Sequence, residues 1–116
     1  MSQTERHAWN EAVISKLNSD LAEYDQASGF GDAVLDFVCE CFRAGCRVRL
    51  PMTAREWTAI HEQPDQYVVA PEHEDAPERE IVVARTAGHW TVRKIGRTAA
   101  AARAAEHRLD GPGGSD

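Results

Sequence analysis

The sequence predicts a small α+β domain, and three observations support this prediction. Residues 3–25 place apolar side chains at helical spacing, residues 33–96 contain two pairs of segments that alternate like β-hairpins, and residues 98–110 are rich in alanine. The predicted order is an N-terminal helix, a small antiparallel sheet of two hairpin-like pairs with one short helix between them, and a C-terminal helix. At 116 residues, we expect a single domain over 1–110 and a disordered tail over 111–116.

The N-terminal helix is predicted by its cap and by an apolar stripe. Ser2 and Glu5 have the spacing of a capping box, in which each side chain binds the backbone amide of the other residue. The stripe consists of five residues at helical intervals: Trp9, Val13, Leu17, Leu21 and Tyr24. We interpret the stripe as a core face. A contact between chains is the alternative, so the oligomeric state stays open.

The first hairpin is predicted by alternation on both sides of a short connection. One face of residues 35–41 carries Leu35, Phe37, Cys39 and Cys41, and the other carries Asp36, Val38 and Glu40. Residues 47–51 alternate again after a glycine-containing connection. These segments predict a hairpin with cysteines around its turn.

A short helix is predicted between the two hairpins. Thr53 and Glu56 again have capping-box spacing, at the start of a segment that places Trp57 and Ile60 inward. Pro64 ends the helix because proline lacks a backbone N–H and clashes with the preceding turn.

The remaining segments predict three more strands and the last helix. Residues 66–71 predict a strand, and an acidic, proline-flanked loop follows it. Residues 80–85 and 90–95 flank Gly88 and predict the second hairpin. Thr98 can cap the C-terminal helix. Because its face is mostly alanine, we expect this helix to bury little area and to dock loosely.

Composition narrows the possible partners and compartments. The net charge of −6 and the pI near 5.3 disfavour nucleic acid, whose binding depends on lysine and arginine against phosphate. The part of the chain from Arg85 onwards is basic, which we interpret as a solvated face, with a docking surface as the alternative. No apolar stretch approaches the roughly 20 residues that cross a bilayer, and the N-terminus lacks a signal-peptide pattern. We therefore expect a cytoplasmic protein with reduced thiols and no membrane partner.

All three cysteines lie in one short segment, in the pattern C-x-C-x4-C. Cys39 and Cys41 share a strand face and can reach one ion, and Cys46 can fold back after Gly45, which tolerates positive φ. Thiolates are preferred ligands of zinc, so the pattern predicts a zinc site. Two alternatives stay open: buried thiols that pack as small hydrophobes, and disulfide exchange without metal.

A closed zinc site needs a fourth ligand, and the chain has five histidines. His73 directly follows a predicted strand, which could deliver it beside the first hairpin. His61, on the short helix, and His89, in the second hairpin turn, stay open as alternatives. His7 and His107 have the setting of exposed helical residues.

A longer pattern surrounds the cysteines between residues 37 and 96. It joins C-E-C, a third cysteine, a helix start T-x2-E and a strand end P-x-H-E, at Cys39, Glu40, Cys41, Cys46, Thr53, Glu56, Pro71, His73 and Glu74. The pattern resembles that of a family of small uncharacterised actinobacterial proteins. Three positions depart from it: Phe42 and Glu72 stand where that family has glycine, and Trp57 stands where it has tyrosine. The resemblance implies the same four candidate metal ligands and no particular activity.

The predicted function follows from the predicted site. We expect one structural Zn²⁺ per chain, held by Cys39, Cys41, Cys46 and His73, because zinc can supply folding energy to a domain with a modest core. The domain would act as a non-enzymatic protein-interaction or regulatory module with an unidentified protein partner. A redox sensor based on the same thiols and zinc is the alternative.

Two further points concern catalysis and the acidic neighbours of the ligands. The sequence lacks the H-x-E and P-C-x-x-C pair of zinc deaminases, H-E-x-x-H and a phosphate-binding glycine loop, so an enzyme is the weakest hypothesis. Glu40 and Glu74 lie next to candidate ligands. They could accept hydrogen bonds from those ligands or be solvent-facing charges.

Overall fold

The computed structural model describes residues 2–29, 31–43 and 45–114. The elements in chain order are helix α1 (Gln3–Ala27), strands β1 (Val34–Val38) and β2 (Arg49–Thr53), helix α2 (Ala54–His61), strands β3 (Gln66–Val69), β4 (Glu80–Arg85) and β5 (Trp90–Lys94), and helix α3 (Gly96–Gly114). The predicted α+β class and the predicted order of elements are confirmed.

The strands form two small antiparallel sheets. Strands β1 and β2 pair with Phe37 opposite Leu50, and these buried side chains form part of the core. The second sheet has the order β3-β5-β4, so β3 joins the predicted second hairpin along the free edge of β5. A backbone hydrogen bond from the Glu40 N–H to the Val68 carbonyl, 2.8 Å long, links the end of β1 to β3. The two sheets therefore meet at the segment that carries the cysteines.

Both predicted capping boxes are present. The Glu5 amide donates to the Ser2 hydroxyl over 3.1 Å, and the Ser2 amide donates to the Glu5 carboxylate over 2.8 Å. Thr53 and Glu56 make the same reciprocal pair at the start of α2, at 3.0 and 2.8 Å. These local signals worked because every partner lies within one helical turn.

The predicted core stripe of α1 is wrong in part. Leu17 and Tyr24 are 56% and 77% exposed, whereas Glu11 and Asn18 are each only 2% exposed. The buried face of the helix consists of Ala8, Glu11, Ala12, Asn18 and Ala22. Polar side chains can be buried when their hydrogen bonds are satisfied, and both Glu11 and Asn18 find partners on distant strands.

Helix α3 packs against α1 through alanine. Ala105 is fully buried against Ala8 and Ala12, so the small side chains allow the helices to pack closely where loose docking was expected. The helix extends on both sides of the predicted range 98–110 and includes residues 111–114 of the predicted tail. Ser115 and Asp116 lie outside the described residues. Among the helices in the described ranges, none combines the length and the apolar character needed to cross a membrane.

Candidate metal centre

Three separate segments bring the cysteines and His73 to one place. Cys39 and Cys41 directly follow β1, and the Cys39 amide continues the hairpin ladder by donating to the Val48 carbonyl over 2.8 Å. Cys46 precedes β2 on the returning chain. His73 lies in a turn beyond β3, and its own backbone amide donates to the Ala70 carbonyl over 2.9 Å. The ends of both sheets thus supply the cluster.

Two backbone positions make this convergence possible. Gly45, next to Cys46, has φ 83°, the left-handed conformation that the sequence predicted glycine would allow. Glu72, next to His73, has φ 69°. This is also the left-handed conformation, which costs about 1–2 kcal/mol for most residues other than glycine. Glycine would adopt this conformation without that cost.

The four side chains are close enough to hold one metal ion. One ligand atom from each of Cys39, Cys41, Cys46 and His73 lies within 4.8 Å of all the others. His73 Nδ1 is 3.6 Å from Cys39 Sγ and 3.7 Å from Cys46 Sγ. In a tetrahedral zinc site, bond lengths near 2.3 Å to sulfur and 2.0–2.1 Å to nitrogen separate the two atoms by about 3.6 Å. The donor set and its spacing therefore fit a tetrahedral metal centre.

The cluster lies at the edge of the core. Cys39 and Cys41 are buried, with 1% and 5% of their surface exposed, and both belong to the main hydrophobic cluster. Cys46 and His73 are half-buried. An ion at this position would be shielded from below by the core and approached by solvent from the side of Cys46 and His73.

The Cys39 and Cys41 thiols have pKa values shifted in opposite directions. The hydrogen bond from the Cys39 thiol lowers the pKa of Cys41 to about 4, against the opposing effect of burial, and the Arg43 backbone amide adds to the lowering. The same hydrogen bond, together with burial, raises the pKa of Cys39, although the Ala70 amide donates to its sulfur over 3.1 Å. The pair thus favours a thiolate at Cys41 and a protonated thiol at Cys39, and binding of a divalent cation would favour deprotonation of Cys39.

The other histidines are engaged elsewhere. His61 Nε2 lies 2.8 Å from Glu40 Oε1, and its Nδ1 lies 2.8 Å from the Trp57 carbonyl oxygen, so His61 is not available to the thiols. His89 sits in the β4–β5 turn against Thr86, and burial lowers its pKa. His7 packs against the Phe42 ring at a centroid distance of 5.1 Å, and His107 is exposed on α3. His73 is therefore the histidine that meets the cysteines.

Glu40 has a role that the sequence patterns missed. Its side chain is fully buried and faces away from the thiols, where it accepts hydrogen bonds from Asn18, Trp57, His61 and Val68. Neither predicted role, as an acceptor for the ligands or as a solvent-facing charge, describes it. Strand alternation correctly predicted the direction of the side chain. It could not indicate that α1, α2 and β3 would cover that face. Glu74 lies half-buried beyond His73.

A groove of about 500 Å³ lies on the far side of Glu40. Helix α1 forms one wall with Ser15 and Ser19, and α3 forms another with Arg103 and Glu106. Trp57, His61 and Tyr67 line its base, where the Tyr67 hydroxyl donates a hydrogen bond to the Glu106 carboxylate. Trp57 and His61, which line the groove, both form hydrogen bonds with Glu40, the residue between Cys39 and Cys41 in the chain.

Comparison with known proteins does not identify the chain. No protein-family model matches it, and neither the curated proteins nor the solved structures contain a chain that matches it. The resemblance to the actinobacterial family therefore stays a prediction, and function has to be argued from the site.

Proposed function

We propose that this protein is a small zinc-binding domain in which one structural Zn²⁺ is held by Cys39, Cys41, Cys46 and His73. The convergence of four ligand atoms within 4.8 Å is the observation that supports it. Three thiolates and an imidazole are soft or borderline ligands that favour zinc over magnesium or calcium, which prefer oxygen. With four protein ligands, the ion has no open position for water or substrate, as is usual for structural zinc.

The position of the cluster supports a structural role. A two-stranded sheet such as β1–β2 is marginally stable alone, and the ion would tie both of its strands to the loop that follows β3. Because such a site does not exist in the unfolded chain, the free energy of metal binding contributes directly to the free energy of folding.

We propose further that the domain acts by binding a protein partner and catalyses no reaction. The exposure of Tyr24 and Leu17 on α1 supports this, since large apolar side chains left at the surface often mark contacts with other proteins. A pull-down from native cells should recover a partner with the wild-type chain. It should lose that partner with the variant L17S/Y24S, while Val83→Ser, an exposed apolar residue on β4, serves as the matched control.

Metal analysis tests the zinc site. Protein purified with a reductant and a mild chelator should contain one zinc per chain by elemental analysis, and stripping the metal should unfold it. Cys41→Ser and His73→Ala should each lose most of the zinc, whereas His107→Ala, an exposed histidine on α3, should retain it. Wild-type protein that carries no metal and stays folded would overturn the proposal.

A redox sensor that uses the same thiols is the second candidate function. It is supported by the proximity of three thiols and by the partial exposure of Cys46 and His73, which lets an oxidant approach. Two thiolates would give up two electrons to hydrogen peroxide, whose O–O bond breaks and which takes up two protons from solvent to leave as two water molecules, while an S–S bond forms and the ion leaves. Stoichiometric peroxide should release zinc to a chromogenic chelator, and a dithiol should restore binding. Thiols that stay unmodified at stoichiometric peroxide would exclude this function.

A further inference from the structure

The three residues from Cys39 to Cys41 have two chemically different faces. The Cys39 and Cys41 sulfurs face the candidate metal cluster, and the Glu40 carboxylate points the other way into the interior. This follows from the alternation of side chains along an extended backbone. One short segment therefore carries two candidate metal ligands on one side. On the other side it carries a carboxyl group that binds two residues of the groove lining.

Every hydrogen-bonding position of the Glu40 carboxylate is occupied. Oε1 accepts from the Val68 amide over 2.9 Å and from His61 Nε2 over 2.8 Å. Oε2 accepts from Asn18 Nδ2 over 2.9 Å and from Trp57 Nε1 over 3.0 Å. A carboxyl group offers about four lone-pair sites, so these four donors satisfy it and fix its orientation.

His61 is held at both ring nitrogens. Its Nδ1 lies 2.8 Å from the Trp57 carbonyl oxygen, and its Nε2 lies 2.8 Å from Glu40 Oε1. These two contacts fix the position of the ring. Burial lowers the pKa of His61, but the charge and hydrogen bond of Glu40 outweigh this effect and raise it overall. The ring also stacks on Trp57 with centroids 3.8 Å apart.

Glu40 thereby connects the metal ligands to the groove. His61 and Trp57 line the groove, and both are held by the carboxylate that lies between two candidate ligands in the chain. A shift of the Cys39 and Cys41 backbone would move the Glu40 acceptor, and the donors at the base of the groove would have to follow or lose their hydrogen bonds. Such a loss would leave a buried polar group without its hydrogen-bond partner, which is unfavourable in the interior.

We propose that Glu40 is a positioning residue that couples metal binding at the four ligands to the shape of the groove. This inference rests on the proposed zinc site. Metal at the thiols holds the segment in place, and the segment holds His61 and Trp57. Because coupling between sites is reciprocal, changes to His61 should also alter metal affinity, although His61 does not reach the metal cluster.

Metal affinity in variants provides the first test, measured by competition with a chelator. Glu40→Gln should lower zinc affinity 10- to 100-fold, the range typical of residues that orient metal ligands, and His61→Gln should lower it about tenfold. Gln63 lines the same groove but takes no part in the Glu40 hydrogen bonds, so the zinc affinity of Gln63→Ala should stay within about twofold of the wild-type value. If Glu40→Gln does not fold, His61→Gln decides the question alone.

A spectroscopic readout separates positioning from general stability. The visible absorption bands of bound Co²⁺ report the geometry of its ligands, and His61→Gln should change them. Val92→Ala, a core truncation in β5, should destabilise the protein without changing the bands. Identical Co²⁺ spectra in all variants, or an equal loss of affinity in Val92→Ala and His61→Gln at matched stability, would overturn the coupling.

The wild-type protein can be tested in the opposite direction without unfolding it. Replacing Zn²⁺ with the larger Cd²⁺ should shift the NMR resonance of the Trp57 indole N–H, which donates to Glu40. The Trp9 indole, on α1 beside Arg108, should not shift. An unchanged Trp57 resonance would overturn the inference even if zinc binds, whereas a wild-type chain that binds no metal would overturn the proposed function itself.

Discussion

Two buried clusters anchor helix α1, and they satisfy their carboxyl groups differently. Near the candidate metal centre, the Glu40 carboxyl group accepts hydrogen bonds from Asn18, Trp57, His61 and the Val68 amide. About two turns towards the N-terminus of α1, Glu11 lies 2.6 Å from the Lys94 ammonium, and Lys94 also lies 2.7 Å from Glu80. The first cluster surrounds one carboxyl group with four donors. In the second, two carboxyl groups share a single ammonium.

This difference makes the Lys94 cluster the more sensitive to pH. Burial raises the pKa of Glu11 to about 8, although Lys94 opposes the rise. Burial lowers the pKa of Lys94, but Glu11 and Glu80 outweigh it and raise that pKa overall. Burial thus favours the protonated form of Glu11 despite the neighbouring Lys94, and the second acid, Glu80, adds to this effect.

Removing the shared cation is expected to have the largest effect. Lys94→Met would remove the cation that two buried acids, Glu11 and Glu80, share, and breaking a buried ion pair in this way costs about 3–5 kcal/mol. Chemical denaturation of the zinc-loaded protein would measure the change in the free energy of unfolding. Arg93→Met, an exposed residue on the same strand, should change it by less than about 0.5 kcal/mol.

A second substitution tests whether stranded charge is the cause. Adding E11Q and E80Q to K94M removes both uncompensated carboxylates, so the triple variant should recover a large part of the lost stability. A triple variant as unstable as K94M would show that other contacts of the lysine dominate instead, namely packing of its stem and the position of its ammonium group 5.3 Å from the centre of the Tyr67 ring.

A substitution at Asn18 would convert the Glu40 cluster into a two-acid cluster. Asn18 Nδ2 donates to Glu40 Oε2 and to the Val38 carbonyl, over 2.9 and 2.8 Å. Asn18→Asp would replace the donating amide with a carboxyl oxygen, which would then face the Glu40 carboxyl group and the Val38 carbonyl. A single added proton could donate to only one of these two acceptors. We expect a loss of about 2–3 kcal/mol in denaturation experiments at pH 7. Gln26→Glu makes the same chemical change at an exposed position of α1 and should cost little, so equal losses would contradict the argument.

Sequence prediction succeeded for interactions between residues that lie close together in the chain and failed for interactions between distant residues. Capping boxes and hairpins were predictable because their partners lie close together in the chain, and the C-x-C-x4-C pattern belongs to the same class. The buried face of α1 was not, because Glu11 pairs with Lys94 and Asn18 pairs with Glu40, both far along the sequence. An apolar stripe is informative only when no polar residue on the helix has a buried partner elsewhere.

The candidate site shows the same division. Cys39 and Cys41 were placed on one face by alternation, and His73 was brought to them by the strand before it. The Glu40–His61 pair was missed, because it depends on three elements covering the opposite face of the cysteine segment. His61 stayed an alternative metal ligand because the residues around it in the sequence do not indicate that its partner is Glu40.

The smallest expected effect is the pH dependence of the two-acid cluster, and its sign follows from Glu11. Its pKa is raised from 4.5 to about 8, so the stability it contributes is complete below pH 4.5 and is lost as pH rises through 8. Between pH 7 and 9, with zinc bound, the free energy of unfolding should fall by about 1 kcal/mol from this group. Glu11→Gln should remove that part of the decrease.

A matched variant distinguishes Glu11 from His61, whose raised pKa acts with the same sign. A raised pKa of a histidine also stabilises the fold at low pH and ceases to do so as pH rises through the folded-state pKa. His61→Gln should therefore retain the Glu11 part of the slope, and the double variant E11Q/H61Q should lose both. A wild-type slope that persists in the double variant would mean that neither cluster controls the response, and that the comparison between them fails.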